Sequence, residues 1–313
     1  PQAAMALIAL LCITDNLDVP GGCVLSGVST TDSQKNRYRE GASLMTPDLW
    51  EKRIGAKEYP GICDIDNHNQ PDVVLDVLES GKPYQIHLGY FNSTNIVDGA
   101  IAAQPRRWKE ALKKLDFMVC SDTFMNPTAM ALADVFLPLS TFAEYNGFVL
   151  PHYGLNDLFY ATINKAVSVG ECRSDIEILI DLGKRLQPNY WNQFADDVDF
   201  LEKLKLPDGY TFEQLRGQGV VQPEVTYRKY EKGLMRADGQ PGFNTRTGRI
   251  ELYCLGYAAH GDDPLPYYME PPYSPVSTPE LAEEYPLVLT SGARTYVSFH
   301  SEHRQIRSLR AMH

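Results

Sequence analysis

Close cysteine pairs are missing. The six cysteines, Cys12, Cys23, Cys63, Cys120, Cys172 and Cys254, stand far apart along the chain. Iron–sulfur and structural zinc sites need at least one close pair on a turn. These residues are therefore expected to hold no such centre, and the cysteines read as reduced thiols in apolar surroundings. Six cysteines spread over 313 residues also exclude a disulfide framework. Long apolar runs are missing too: nothing reaches the ~18 residues a membrane helix needs, so no transmembrane segment is expected. The most apolar stretch, residues 3–13, is too short to span a bilayer and lacks the basic leader of a signal peptide. It reads as a buried helix. Positive charge is scarce, with 29 Lys and Arg against 40 Asp and Glu. The net charge of −11 argues against a nucleic-acid partner, which needs a basic surface. No G-x-S-x-G elbow and no Walker phosphate loop occur. The glycine-rich run Gly21–Gly27 follows a turn rather than a strand and does not fit G-x-G-x-x-G, so a plain nicotinamide dehydrogenase is not expected.

Helix patterns alternate with short apolar strands through the first two thirds. Pro71 and Asp72 open a helical pattern with Val74, Leu75 and Leu78 on one face, and Gly81 closes it. Residues 84–88 read as a strand ending at Gly89. Pro105 opens a second helix, with Trp108, Ala111, Leu112 and Leu115 on its apolar side. Phe117 to Cys120 reads as the next strand, ending in Ser121 and Asp122. A short helix around 128–133 leads to a third strand at 135–139. Ser174 and Asp175 head a further helix, striped by Ile176, Leu179, Ile180 and Leu186. This alternation predicts an α/β fold: a Rossmann-like, mainly parallel sheet with flanking helices. Ligands of such sheets bind at the carboxyl ends of the strands. One rim is then expected to carry residues 89–92, 121–122 and 139–144. Gly89 would allow close backbone approach, Asn92 offers a donor and an acceptor, and Asp122 can accept from a guanine-type edge or a ribose.

From Gly239 the character changes. Residues 244–254 look like a turn followed by a strand. Prolines 264, 266, 271, 272, 275 and 279 then crowd one segment, which reads as an extended linker without helix or central strand. The expected division is an α/β domain over 1–262, a proline-rich linker over 263–284 and the start of a further domain over 285–313. In that last part Ser291, Gly292 and Arg294 form a small-residue turn with a cation, suited to phosphate or pterin contacts. His300 and His303 are too few for a zinc site. The chain opens on Pro1, and its last segment is too short to bury a core, so we expect it to be part of a larger protein.

Taken together, four stretches resemble the molybdopterin oxidoreductase family that includes dimethyl sulfoxide reductase, formate dehydrogenase and acetylene hydratase. Residues 6–22 (ALIALLCITDNLDVPGG) resemble the family's helix and "GN-x-x-x-PGG" turn, with Asp15-Asn16 in place of Gly-Asn. Residues 115–138 (LDFMVCSDTFMNPTAMALADVFLP) are the most specific and are similar to its "D-x-F-x-T-x-T-A-x-x-A-D-V-V-L-P" run, which Glu144 and Gly147 continue as "E-x-x-G". Residues 172–186 are similar to its "R-P-D-W-x-I" helix, with Ser174 for proline and Ile176 for tryptophan. Residues 285–304 (YPLVLTSGARTYVSFHSEHR) resemble the start of a C-terminal β-barrel, in a form nearest the acetylene-hydratase-like branch.

The resemblance implies a domain that grips the guanine-dinucleotide arm of a bis-molybdopterin guanine dinucleotide cofactor carrying molybdenum or tungsten. It assigns cofactor contacts to Gly89, Asn92, Ser121, Asp122, Asp175, Ser291, Gly292, Arg294 and His300. Ser93 stands where the family usually has proline, and Leu139 where it often has a small polar residue. The resemblance also implies that the metal ligand and an iron–sulfur cluster belong to a part of the parent upstream of these residues, with most of the barrel downstream. No catalytic or metal-ligating residue is therefore assigned here, and the chain alone is expected neither to bind metal nor to turn over. The implied parent is a redox enzyme acting on a small molecule, with a possible electron-transfer subunit. Two alternatives stand: a non-redox hydratase or transhydroxylase of the same family, and a stand-alone nucleotide-binding module.

Overall fold

A computed structural model describes residues 2–25, 46–65, 69–97, 104–149, 159–206, 209–222, 224–289 and 306–311. Among the described residues four helices precede the sheet: α1 (Gln2–Ile13), α2 (Pro47–Glu51), α3 (Pro60–Ile65) and α4 (Pro71–Ser80). Pro71 opens α4, where its missing N–H costs nothing, and Gly81 closes it with a left-handed φ of 68°. Then β1 (Leu88–Asn92), α5 (Pro105–Leu112), β2 (Phe117–Asp122), α6 (Pro127–Leu132) and β3 (Val135–Pro138) follow in strict alternation. The three strands form one parallel sheet in the order β1-β2-β3. Parallel neighbours need a crossover between them, and α5 and α6 lie on those crossovers. The expected α/β fold with a parallel sheet and flanking helices is the observed one.

The first core lies between the sheet and its helices. Leu75 and Leu78 of α4, Trp108, Ala111 and Leu112 of α5, and Met118 and Cys120 of β2 are buried together. Only one face of α5 is buried while its charged residues face out, as its apolar spacing predicts. Beyond β3 the chain forms a small antiparallel pair, β4 (Gly147–Val149) with β5 (Ala161–Ile163), and then α7 (Asp175–Leu186). Short helices α8 (Pro188–Trp191), α9 (Asp197–Leu204) and α10 (Phe212–Gln218) follow. A second core gathers Leu201, Leu206, Phe212 and Leu215. The sheet is extended by one bridge: Leu139, just past β3, pairs in parallel with Arg173, the residue before the N-cap of α7. That bridge carries the start of α7 to the carboxyl edge of the sheet.

Four expectations change. The first strand runs from Leu88 to Asn92, not from 84 to 88. A ladder needs a partner, and β2 begins to pair only at Phe117, opposite Leu88. The helix expected to be buried, α1, has no buried residue, and Leu7, Ile8, Leu10 and Ile13 are exposed. It is held at its ends rather than along a packed face: Gln2 accepts from the Tyr267 amide, and the turn after Ile13 is clamped from residues 228–229. Residues 249–254 form no strand. The Thr247 amide and hydroxyl donate to Glu251, which folds the segment on itself, and α11 (Leu255–Ala259) follows. The proline-rich stretch contains a helix, α12 (Pro279–Glu284), because Pro279 stands at the first helical position, where proline starts a helix rather than breaking one. Residues 285–289 carry no strand, and residues 290–305 lie outside the described set. The last described helix is α13 (Arg307–Arg310).

One buried ion pair joins distant parts of the chain. Asp18 and Lys229 are 0% and 2% exposed, and Nζ of Lys229 lies 2.8 Å from Oδ1 of Asp18. The other Asp18 oxygen accepts from the Lys229 amide at 2.7 Å, and the Leu25 amide donates to Oδ1 at 3.1 Å. Removing one partner of such a pair leaves an uncompensated charge, at a cost of about 3–5 kcal/mol. Asp18→Asn is therefore expected to cost about 3 kcal/mol or more in urea unfolding of the chain. A loss below about 1 kcal/mol, the scale of an exposed pair, would contradict this reading.

Candidate functional site

The carboxyl ends of β1 and β2 and the first turn of α7 meet at one rim. Asn92, the last residue of β1, is the centre of the contacts. Its Nδ2 donates to Oδ1 of Asp175 at 2.8 Å, and its Oδ1 accepts from the Ser121 hydroxyl at 3.1 Å. The Ser93 hydroxyl donates to the same oxygen at 3.1 Å, and the Ser93 amide donates to the Ser121 carbonyl at 2.8 Å. Ser121 is fully buried, whereas Asn92 and Asp175 face solvent. Buried order thus supports an exposed pair of polar side chains.

Local sequence explains the geometry. Asp175 is the first residue of α7, directly after the N-cap Ser174. The Ser174 hydroxyl accepts from the Glu177 amide at 3.1 Å, and the Glu177 carboxylate accepts from the Ser174 amide at 2.8 Å, a complete capping box. Burial works to raise the Glu177 pKa, but bonds from Ser174 and the nearby Lys165 ammonium outweigh it and hold the carboxyl below its usual range. Negative charge at this helix start is favoured by the macrodipole. Ser93 has a left-handed φ of 48°, which turns the chain sharply off β1. A proline, fixed near −65°, could not take this conformation, which accounts for its absence here.

Asp122 is committed to its own turn. Its Oδ1 accepts from the Phe124 amide at 3.2 Å and the Thr123 hydroxyl at 3.3 Å, and its Oδ2 accepts from Asn126 Nδ2 at 2.7 Å. Gly89 lies elsewhere. It is the second residue of β1, three residues before the rim, paired with Met118. A Cβ there would collide with the Phe91 ring and come within 2.8 Å of Leu115 Cδ1, so these side chains would have to shift to admit one. The structure therefore brings Asn92, Ser121 and Asp175 together, places Asp122 beside them as a turn organiser, and separates Gly89. Ser291, Gly292, Arg294 and His300 lie outside the described residues.

Sequence reasoning missed the polar layer beneath the rim. Asn126 caps α6 by accepting from the Ala129 amide, and its Nδ2 also donates to the Thr94 carbonyl at 3.2 Å. Thr128, fully buried, donates to Asn95 at 2.9 Å and accepts from the Val97 amide at 2.9 Å. An N-cap asparagine before Pro127 was the available signal. Tyr145 is the other omission: burial, and to a lesser extent the Asp175 carboxylate, push its phenol up. Glu144 folds back, accepting from the Thr141 amide and hydroxyl at 2.8 Å each, and these bonds hold it below the usual carboxylate range. Of these carboxylates, Asp122 and Glu144 are taken up by their own turns, while Asp175 keeps acceptor capacity suited to N–H donors. Among the described residues no group of three His, Cys, Asp or Glu could hold a metal ion.

Comparison with known proteins bears on family and fold. Residues 56–185, which contain the whole rim, match the family model described as molybdopterin oxidoreductase. The acetylene hydratase of Syntrophotalea acetylenica is 30% identical over 77% of this chain and 31% of its own. The dopamine dehydroxylase of Eggerthella lenta is 27% identical over 97% of this chain and 36% of its own. The chain thus spans about a third of the length of these curated relatives. The solved acetylene hydratase from Pelobacter acetylenicus has the same fold, with a TM-score of 0.76 over 92% of this chain and 41% of that one, at 24% identity.

Ser174→Ala removes one side of the capping box and should cost about 1 kcal/mol. Hydrogen exchange should localise the loss: the Glu177 amide is expected to exchange several-fold faster, while β2 amides keep their protection. Uniform acceleration through the sheet would show instead that Ser174 supports the whole fold.

Proposed function

From its membership of the molybdopterin oxidoreductase family, we infer that the chain holds the guanine-dinucleotide arm of a molybdopterin cofactor at the carboxyl rim of its sheet. Family membership implies a pterin cofactor with molybdenum or tungsten; the guanine dinucleotide form is our reading of the rim. The observation that carries it is the Asn92–Ser121–Asp175 cluster, with Asp175 held at 2.8 Å from Asn92 and still exposed. A carboxylate has roughly four acceptor positions, and the Asn92 bond uses one of Asp175's. The adjoining N–H groups of a guanine edge fit the remainder, whereas adenine offers no such pair. Asn92 fixes the Asp175 carboxylate in place, and Ser121 fixes Asn92. Arg294, expected to meet the phosphates, belongs to the proposed start of the barrel over 285–313.

In the whole protein the pterin-held metal supplies redox or group-transfer chemistry, and residues such as these bind and orient it. We propose an enzyme acting on a small molecule, with an electron-transfer partner if the reaction is redox. The 30% identity to an acetylene hydratase favours, as a second reading, a non-redox addition reaction. In either case the metal ligand and any iron–sulfur cysteines are proposed to lie outside these residues.

Two measurements test this reading. Calorimetric titration of the chain should show guanosine diphosphate binding at least 10-fold tighter than adenosine diphosphate, with Asp175→Ala erasing the preference; hydrogen bonds to a charged group carry roughly 1.5–3 kcal/mol. Equal affinity for the two nucleotides would refute the guanine assignment. Elemental analysis of the purified chain should find neither molybdenum nor tungsten at stoichiometric level, and about one metal per chain would overturn the placement of the metal ligand elsewhere.

A further inference from the structure

We propose that the cavity lined by α4, α5 and β1 binds a small apolar molecule that carries one hydrogen-bond acceptor, such as a carbonyl oxygen. The cavity measures about 300 Å³, at the lower end of the roughly 300–1,000 Å³ of small-molecule sites. Val74 and Leu78 of α4, Trp108 and Leu112 of α5, Phe91 of β1 and the following Leu115 wall it. No charged side chain lines it, and only Asn69 and Trp108 bring polar side-chain atoms. Gly89 lines it as well. Having no Cβ, Gly89 leaves room for the Phe91 ring and Leu115 to lie against β1, since a Cβ there would stand 2.4 Å from Phe91 Cε2.

Trp108 supplies the polar handle. It is 5% exposed and belongs to the first core. Its indole Nε1–H can only donate. Among the described residues that N–H has no hydrogen-bond partner. No buried side-chain nitrogen or oxygen of the described residues is sealed off unpartnered, so this nitrogen still meets open space. The open space that Trp108 lines is the cavity. A tryptophan this deep usually has its N–H satisfied, and here the missing acceptor has to come from what enters the cavity.

The walls then select the ligand. An ion is excluded, because no charge would meet it there and its desolvation would go uncompensated. Water is held poorly: an ordered water needs about two to four polar partners, and the walls offer one buried donor beside the exposed Asn69. An apolar body covers the aliphatic and aromatic walls, and one acceptor on it pairs the indole N–H.

The test is ¹H–¹⁵N correlation NMR of the intact 313-residue chain, whose three tryptophans give three indole N–H signals. The Trp108 signal is identified by its loss in Trp108→Phe or, where that variant does not fold, by elimination with Trp50→Phe and Trp191→Phe. Two probes of one shape are titrated: acetophenone, which carries a carbonyl acceptor, and 2-phenylpropene, in which a CH₂ group replaces that oxygen. Acetophenone is expected to bind saturably and to move the Trp108 proton downfield, as an N–H does when it gains an acceptor; 2-phenylpropene should bind without that shift. In folded Trp108→Phe, acetophenone should weaken about 5-fold more than 2-phenylpropene, the scale of one net hydrogen bond. No saturable binding of acetophenone, or binding with the Trp108 signal unmoved, overturns the proposal. An equal downfield shift with both probes overturns the acceptor and with it the ligand class. Neither probe resembles a nucleotide, so the result is independent of the reading of the rim.

Discussion

The rim of this molecule depends on a single amide side chain. Asn92 has one donor group and one acceptor oxygen, and the structure uses both to connect three elements: β1, where it ends, β2 through Ser121, and α7 through Asp175. Parallel pairing makes that possible, because it brings the ends of β1 and β2 to one edge in register, Asn92 opposite Ser121. An antiparallel partner would have placed the start of β2 there instead. The bridge between Leu139 and Arg173 completes the arrangement by carrying the start of α7 to the same edge. The position of Asp175 is thus a consequence of strand direction and one short backbone pairing.

Stability and site are supported by different means. The sheet rests on an apolar core of leucines, Trp108 and Met118, whose burial is non-directional and tolerant of small shifts. The rim rests on hydrogen bonds, which are directional, and its hidden layer of Asn95, Asn126 and Thr128 leaves no buried side-chain N or O atom unpartnered among the described residues. Polar groups removed from water must be paired or they cost more than they contribute. The same rule operates at the Asp18–Lys229 pair, where two charges below the surface are satisfied by each other and by backbone amides. That pair joins residue 18 to residue 229, so it ties the turn after α1 to a distant segment rather than stabilising any one element.

Much of the fold could be read from the sequence because its signals are local. Proline at a first helical position and Gly81 in a left-handed cap mark α4, and Ser174 with Asp175 marks the start of α7, without reference to the rest of the chain. The strand ends were legible for the same reason: Asn92 ends β1, and Ser121 and Asp122 are the last two residues of β2. What failed was non-local. The strand placed at 84–88 has suitable residues, but its partner begins at Phe117, so pairing moved it to Leu88. The packing of Gly89 is non-local as well, since a Cβ there would meet the side chains of Phe91 and Leu115. Helix α1 has the composition of a core helix, but composition does not say which residues cover it.

These distinctions decide which aspartate should read a base. Asp122 and Asp175 look alike in the sequence: each stands where an element meets the rim. In the structure Asp122 accepts from Thr123, Phe124 and Asn126, which uses both its oxygens to hold the turn between β2 and α6. Among the described residues Asp175 accepts from Asn92 alone among side chains, and it remains exposed in the first turn of α7. A group that recognises a ligand must be fixed yet unspent, since a side chain free to move loses entropy on binding and one already saturated has nothing to offer. Asp175 meets both conditions. Asp122 meets only the first, and its contribution is to keep the floor of the rim in place.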